Sequence, residues 1–250
     1  MISAVIIVKN GEKHIMQCLQ SLEAFDEVLL MDTGSTDRTM DIARRFPNVR
    51  LEEREFAGFG PSKNLAARLA RHDWILSIDS DEVVTPELSW EILSLTLDEN
   101  RVYRFSRHSY YHRKHIQGCG WSPDKVLRLY HKKKTAFNDN QVHESVMVKE
   151  GMEIADLEGN LKHYPYDNAG SLVDKLQFYS TLYAQQNQGK VQSSFLKAVL
   201  RGTAAFLKGY LLRKGFLDGY EGFHIAFCQG LATYLKYLKL YEANRRIHFE

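Results

Sequence analysis

The sequence predicts an α/β fold, a mixed sheet flanked by helices with a helical C-terminal region behind it. Three observations point there. Over residues 1 to about 98, short apolar runs alternate with segments of helical period; between about 100 and 165 shorter strand-like segments take over; from about Ser171 onward the chain is long-helical and rich in aromatics. The expected division is a sheet domain over residues 1–168 and a helical region over 169–250.

Taken in order, Ser3 to Val8 reads as a first buried strand, too short an apolar run for a signal peptide and lacking a basic leader. Ile15, Leu19 and Leu22 then recur at spacings of four and three, which is one face of a helix. Glu27 to Met31 is a second strand ending at Asp32, and Thr36 or Asp37 can cap a helix that runs to Phe46 before Pro47 stops it. Val49 to Glu53 reads as a third strand. Pro61 opens a helix with Leu65, Ala66, Leu69 and Ala70 on one face, and Trp74 to Ile78 is a fourth strand. Strands alternating with amphipathic helices imply right-handed βαβ units, whose ligands bind beyond the carboxyl ends of the strands, where Asp32 and Asp79 fall. Arg101 to Arg107, Val126 to Tyr130 and Val142 to Val148 are expected as further strands of a mixed sheet.

The bulk numbers bound the function. With 44% hydrophobic and 26% charged residues and no low-complexity tract, the chain is a folded protein rather than a disordered one. Its formal charge of +2 means that any affinity for polyanions comes from local clusters. Three widely spaced cysteines, Cys18, Cys119 and Cys228, suit reduced thiols in a cytoplasmic compartment. No stretch reaches the ~18 apolar residues of a membrane span, so membrane contact is expected to be peripheral.

The chemistry concentrates where the fourth strand ends, in Asp79-Ser80-Asp81-Glu82. Carboxylates crowded at the end of a buried strand need a cation, and two aspartates one residue apart offer hard oxygens to Mg2+ or Mn2+ while leaving positions for substrate phosphates. The competing reading is a solvated turn before a helix capped by Thr85 and opened by Pro86. Asp32 begins D-T-G-S-T-D, where Gly34 frees the turn and the helix N-terminus beyond offers N–H groups to a ligand. The M-D-T-G run also has the look of an aspartic-protease turn, but that fold is all-β and this segment is flanked by helices. A Rossmann dinucleotide site lacks its G-x-G-x-x-G after the first strand.

Four motifs in order, V-I-I-V-K-N-G-E at the start, M-D-T-G-S-T-D-R-T at Met31 to Thr39, K-N-L-A at Lys63 to Ala66 and I-D-S-D-E at Ile78 to Glu82, resemble the inverting family 2 glycosyltransferases of GT-A fold. The resemblance covers the first ~100 residues. It implies a nucleotide-sugar donor, a divalent cation and direct displacement at the anomeric carbon. By position, Asp32 would hold the nucleoside, Lys63 would approach it or the diphosphate, Asp79 would sit by the ribose and metal, and Asp81 would ligate the metal. Inversion also requires a general base near the acceptor hydroxyl. In the family a carboxylate well downstream serves, and Glu144 of N-Q-V-H-E-S-V is the candidate here, with Asp124 and Asp139 as rivals and an ion pair as Glu144's structural alternative. His163 of L-K-H-Y-P-Y could add a metal ligand or simply satisfy a local hydrogen bond.

Two further regions carry charge. Between Arg101 and Lys134 lie ten lysines and arginines opposed only by Asp124, a density that suggests a phosphorylated or carboxylated acceptor or the donor diphosphate, with Lys125 and Arg128 as contacts. Trp121 could stack on a sugar or anchor its loop. His108, His112, His115 and Cys119 have spacings that could hold zinc, but their cationic neighbours favour a basic, solvated loop. No nucleic-acid motif accompanies these charges. Between Asp174 and Asp218 there is no acid, while seven lysines and arginines interleave with aromatic and aliphatic residues, a pattern that fits a helix on an anionic membrane surface, a dimer contact or core packing.

The compact length, the V-H-E element and the basic aromatic tail look similar to the bacterial lipopolysaccharide inner-core β-1,4-glucosyltransferases. That resemblance implies UDP-glucose as donor, a heptose of the lipid A-core oligosaccharide as acceptor, and a peripheral place on the cytoplasmic face of the inner membrane. A metal-dependent nucleotidyltransferase lacks its glycine-rich loop here, and a non-catalytic carbohydrate-binding protein would have no use for both Asp79 and Asp81.

Overall fold

The computed structural model describes residues 1–140 and 144–246. In chain order the elements are β1 (Ile2–Val8), α1 (Ile15–Gln20), β2 (Glu27–Asp32), α2 (Thr39–Ala43), β3 (Val49–Glu53), α3 (Phe59–Leu69), β4 (Trp74–Asp79), β5 (Glu82–Val84) and α4 (Pro86–Ser94). There follow β6 (Arg101–Tyr111), β7 (Lys114–His115), β8 (Lys125–His131), β9 (Glu153–Tyr166), α5 (Ala169–Asn187), α6 (Phe195–Leu207) and α7 (Gly219–Arg246). The chain forms two compact units, Met1–Arg107 with Asp124–His163, and His108–Pro123 with the residues from Tyr164 onward.

In the first unit β1 pairs in parallel with β2 and β4, and β2 with β3, as βαβ connections require. β8 then joins β4 antiparallel, so the sheet is mixed, in the order β3-β2-β1-β4-β8-β6-β9-β5. Both faces are covered: Ile6, Leu30, Leu76 and Phe105 belong to one apolar cluster, and Val5, Leu29, Ile75 and Tyr130 to the other. That two-sided burial is why the strands read as continuous apolar runs.

Several boundaries differ from expectation. The second helix covers only Thr39–Ala43: Asp37, just before it, accepts from Thr39 N (3.0 Å) and Glu12 N (3.1 Å), and beyond it Arg45 N and Phe46 N donate three residues back, to Ile42 O and Ala43 O, so the chain reaches Phe46 in tighter turns. The third opens at Phe59, two residues before Pro61, while Thr85 caps α4 as anticipated by accepting from Leu88 N. The expected strand at Val142 to Val148 is absent over its described part, where Val146 makes a single bridge to Phe137; Val142 and His143 lie outside the described residues. The 14-residue β9 went unread because its inward positions, Ala155, Leu157, Gly159 and Leu161, include two small residues that blunt the period-two signal.

The second unit corrects the idea of a solvated basic loop at residues 108–119. The end of β6 turns back as β7, with Tyr110 opposite His115, and Tyr111, Ile116 and Cys119 are buried with Leu172, Leu176 and Ile225. His108 and His115 stack at 4.4 Å, and among the described residues no three acidic, His or Cys side chains converge as metal ligands. α5 and α6 both pack on α7. No helix among the described residues is long and apolar enough to cross a membrane.

One buried charge anchors the start of the sheet. Glu27, 1% exposed at the head of β2, accepts from Ser3 Oγ (2.6 Å), Arg71 N (2.7 Å) and Arg50 Nε (2.9 Å). Burial acts to raise its carboxyl, but the Ser3, Arg71 and Arg50 donors outweigh it and leave it below the usual range. Replacing it by the isosteric amide (Glu27→Gln) removes the charge that these donors were built around, and should lower stability in urea by about 1–3 kcal/mol at pH 7. Because the folded carboxyl is depressed, that difference should be complete above pH ~4.3. It should shrink as pH falls through the folded value, as urea titrations of both proteins across acidic pH would show.

Candidate active site

The register of β1 with its two neighbours places the expected carboxylates. Val8 lies opposite Asp32 and Ile7 opposite Asp79, so the two aspartates flank the end of β1 at the carboxyl edge of the parallel sheet. Beyond that edge two loops interlock. Asn10, in the left-handed region at φ 55°, donates its N–H to Ser35 Oγ and accepts from Thr36 N, each at 2.8 Å, and Gly11 N donates to Thr39 Oγ1 at 2.8 Å. The Asp32 carboxylate accepts from Gly34 N and Ser35 N at 3.1 and 3.0 Å, shaping the turn, and Gly34 takes φ +98° as the turn requires.

At the end of β4 the charges form one network. Both oxygens of Asp79 are taken, Oδ1 by Lys63 Nζ at 2.8 Å and Oδ2 by Arg128 Nη2 at 2.6 Å. Lys63, buried on α3, also donates to Glu144 Oε1 at 2.8 Å. Arg128 reaches Glu82 Oε1 at 3.2 Å, and Glu82, fully buried, accepts as well from Arg107 Nη1 (3.1 Å) and Asp79 N (2.9 Å). Arg107 in turn holds Asp124 at 2.8 Å. Burial acts to raise the Asp79 carboxyl, but the Arg128 guanidinium and Lys63 ammonium prevail and hold it well below the carboxylate range. Burial alone would lower Arg128, whereas Asp79 and Glu82 raise it. Beneath the turn the Cys18 thiol is pushed up, by burial first and then by Glu82, Asp81 and Asp79, so it stays neutral.

A bulge aims Arg128 into this network. Tyr103 pairs with Leu129 but Arg104 pairs with Leu127, so Arg128 is the extra residue of β8. For the same reason Val126 and Leu129, three apart, pack against the same core. Asn64, next to Lys63, fixes the other wall: its side-chain amide donates to Phe137 O and accepts from Phe137 N, both at 2.9 Å, tethering to α3 the segment that leads to Glu144.

Asp81 stands apart. It makes no hydrogen bond and no ion pair with lysine or arginine among the described residues, and the basic side chain that it faces is His163, whose Nε2 lies 3.7 Å from Oδ2. Pairing of β5 with β9 brings them together, since Glu82 lies opposite His163. That separation is too long for a hydrogen bond and slightly wider than the about 3 Å between adjacent ligands of an octahedral ion with 2.0–2.1 Å bonds. One carboxylate and one imidazole are a donor set that Mn2+ or Mg2+ accepts, with the remaining positions left to other oxygens.

Of the expected residues, Lys63, Asp79, Arg128 and Glu144 are thus joined in one network, Asp81 and His163 face each other, and Asp32 lies across β1. Lys125 is not drawn in: its ammonium pairs with Asp156 at 3.1 Å, beside a two-bond Arg104–Asp156 pair. Trp121 belongs to the second unit, where it stacks on Tyr166 at 5.7 Å as an anchor of its loop. Glu144 has the ion-pair partner that the structural alternative foresaw, a lysine in place of an arginine. Asp124 is engaged by Arg107, and Asp139 is exposed. Asn64, Glu82 and Arg107 carried no assigned role; Asn64 and Glu82 sit inside the recognised motifs, and Arg107 had only its place in the basic run as a signal.

Residues 3–150 match the sequence model of glycosyl transferase family 2. The chain belongs to this family. It is 30% identical over 97% of its length to an uncharacterised glycosyltransferase of Rickettsia typhi, covering 87% of that protein. It is 29% identical over 97% of its length to the lipopolysaccharide core biosynthesis glycosyltransferase LpsC of Rhizobium meliloti, covering 93% of it. Among solved structures, S. aureus TarS in complex with UDP-GlcNAc superposes with a TM-score of 0.51 at 15% identity, over 99% of this chain and 90% of that one. The protein is therefore an enzyme of the glycosyltransferase class with the GT-A fold.

Because Arg128 is buried and neutralises the buried Glu82 together with the partly exposed Asp79, truncating it (Arg128→Met) should destabilise this family 2 enzyme by about 3 kcal/mol. Arg128→Lys, which keeps the charge, should lose less, as equilibrium urea unfolding of the two variants would reveal.

Proposed function

We propose that this glycosyltransferase moves a hexose from a nucleotide sugar, with inversion and with a divalent cation, onto the lipopolysaccharide inner core. UDP-glucose is the donor and a heptose of the lipid A-core oligosaccharide the acceptor in this reading. The observation that carries it is the split within Asp79-Ser80-Asp81: one aspartate is saturated by fixed cations, and the other, with no lysine or arginine partner among the described residues, faces His163. Asp81 and His163 would hold Mg2+ or Mn2+, which supplies Lewis-acid neutralisation of the departing diphosphate.

The remaining roles fall to the chain's own residues. Asp32 and the interlocked Asn10 and Ser35 loops form the nucleoside wall. Lys63 and Arg128 hold Asp79 ionised beside the ribose. Glu144 takes the proton of the acceptor hydroxyl, oriented by Lys63 from one side and by the Asn64 tether from the other. The likeness to LpsC supports the lipopolysaccharide acceptor, and the acid-free run from Lys175 to Leu217 supports peripheral contact with the anionic cytoplasmic face of the inner membrane.

Calorimetric titration of UDP-glucose should show binding with Mn2+ that EDTA abolishes and that Asp81→Ala loses. Absence of binding by any nucleotide sugar would sink the assignment. Glu144→Gln should leave donor affinity in place and cut turnover on a deep-core acceptor by about 10²–10⁴-fold; a variant with wild-type turnover would move the base to another carboxylate.

A further inference from the structure

The second unit contains a cavity of about 380 Å³ lined by Gln117, Gly120, Ser122, Pro123, Leu212, Arg213 and Lys214. Its charged side chains are the cations Arg213 and Lys214, its neutral polar ones, Gln117 and Ser122, can donate as well as accept, and no carboxylate lines it. Neither Arg213 nor Lys214 forms an ion pair with any described residue, although the chain as a whole carries nearly balanced charge. The nearby acid, Asp218, is buried and turned away: its oxygens accept from Gln117 N (3.3 Å) and Gly118 N (2.6 Å). Among the described residues, no carboxylate pairs with the positive charge in this cavity.

The walls are built rather than incidental. Cys119 N donates to Arg213 O at 2.9 Å, Cys119 Sγ bonds Gly222 O at 3.2 Å, and Gln229 Nε2 donates to Cys119 O at 3.0 Å. Cys119 and Lys214 both hold φ in the left-handed region, at 57° and 55°, a conformation that costs free energy and that the surrounding bonds enforce. At Gly120, φ +79°, a Cβ would fall 2.4 Å from the Arg213 guanidinium, so only glycine lets that group lie against the backbone.

What surrounds the cavity selects among anions. The turn that supplies Arg213 and Lys214 also carries Leu211, Leu212, Phe216 and Leu217, all exposed, with Leu212 at 79% and Leu217 at 67%. Large apolar side chains held in water beside unpaired cations match the boundary between headgroups and acyl chains, where the apolar groups leave water and the cations meet phosphate. The geometry points to a phospholipid site: the cavity binds the phosphate of an anionic lipid through Arg213 and Lys214 while Leu212 and Leu217 enter the leaflet. This rests on the membrane-surface part of the function proposed above and gives it a specific residue set.

Flotation of the full chain with vesicles of mixed phosphatidylcholine and phosphatidylglycerol, and with phosphatidylcholine alone, tests it. The unaltered chain should bind the mixed vesicles preferentially. The Arg213→Gln/Lys214→Gln pair should weaken that binding about thirty-fold, near a factor of five per charge. An equal loss of charge at Arg44 and Lys133 should change it by no more than about twofold. Leu212→Ser/Leu217→Ser should also weaken binding with all charges present. Equal losses from the Arg213/Lys214 and Arg44/Lys133 pairs would overturn the site in favour of net charge. Competition by inorganic phosphate together with full binding by the leucine variant would overturn the lipid in favour of a soluble phosphate. UDP-glucose titration of the same proteins keeps the two proposals apart: lost vesicle binding with intact donor binding counts for the lipid site, whereas an unaltered chain that binds vesicles but no nucleotide sugar fails only as a transferase.

Discussion

Arg128 sits between Asp79 and Glu82 with almost no access to water, and much of the first unit's active edge is arranged around that fact. A guanidinium there needs two carboxylates, and the carboxylates need more than one cation, so Lys63 and Arg107 are drawn in from α3 and β6. The result is a closed set of ion pairs at the carboxyl end of β4. Such a set is weak evidence for stability, since each member had to be desolvated, but it is strongly directional. It holds Asp79 ionised, holds Lys63 against Glu144, and leaves Asp81 as the member of the acidic turn with no lysine or arginine partner among the described residues.

That division of labour between neighbouring aspartates gives the D-x-D turn its chemical sense. Asp79 is the last residue of β4 and pairs with Lys63 of α3, whereas Asp81 lies in the turn beyond it and faces His163 of β9, itself opposite Glu82. The family 2 match and the likeness to TarS in fold agree with this layout of the sheet. The supporting shell is as organised as the charges: the Asn64 amide pair and the Asn10, Gly11 and Ser35 bonds leave the loops around the edge few backbone groups to rearrange.

The second unit answers to different physics. Its core takes Tyr111, Ile116 and Cys119 from a segment inserted in the sheet half of the sequence, and its surface keeps large apolar side chains in water beside Arg213 and Lys214, which form no ion pair with any described residue. A surface of that kind is costly for a protein that meets only solvent. The proposed lipid site would give such a surface a use.

The sequence by itself determined the alternation of strands and helices, the placement of Asp32 and Asp79 at strand ends, and membership of the transferase family, because these depend on local periodicity and on short contiguous motifs. It also singled out Lys63, Asp81, Glu144 and His163. Tertiary structure alone decided how they meet. Lys63 and Glu144 are 81 residues apart, and a salt bridge leaves no periodic trace at that distance. The bulge that turns Arg128 toward Asp79 while Lys125 goes to Asp156 is a property of strand pairing, set by the register of β6 against β8. The same holds for residues 108–119, whose charges suggest solvent although Tyr111, Ile116 and Cys119 are buried, since burial is conferred by α5 and α7, which begin only at Ala169 and Gly219.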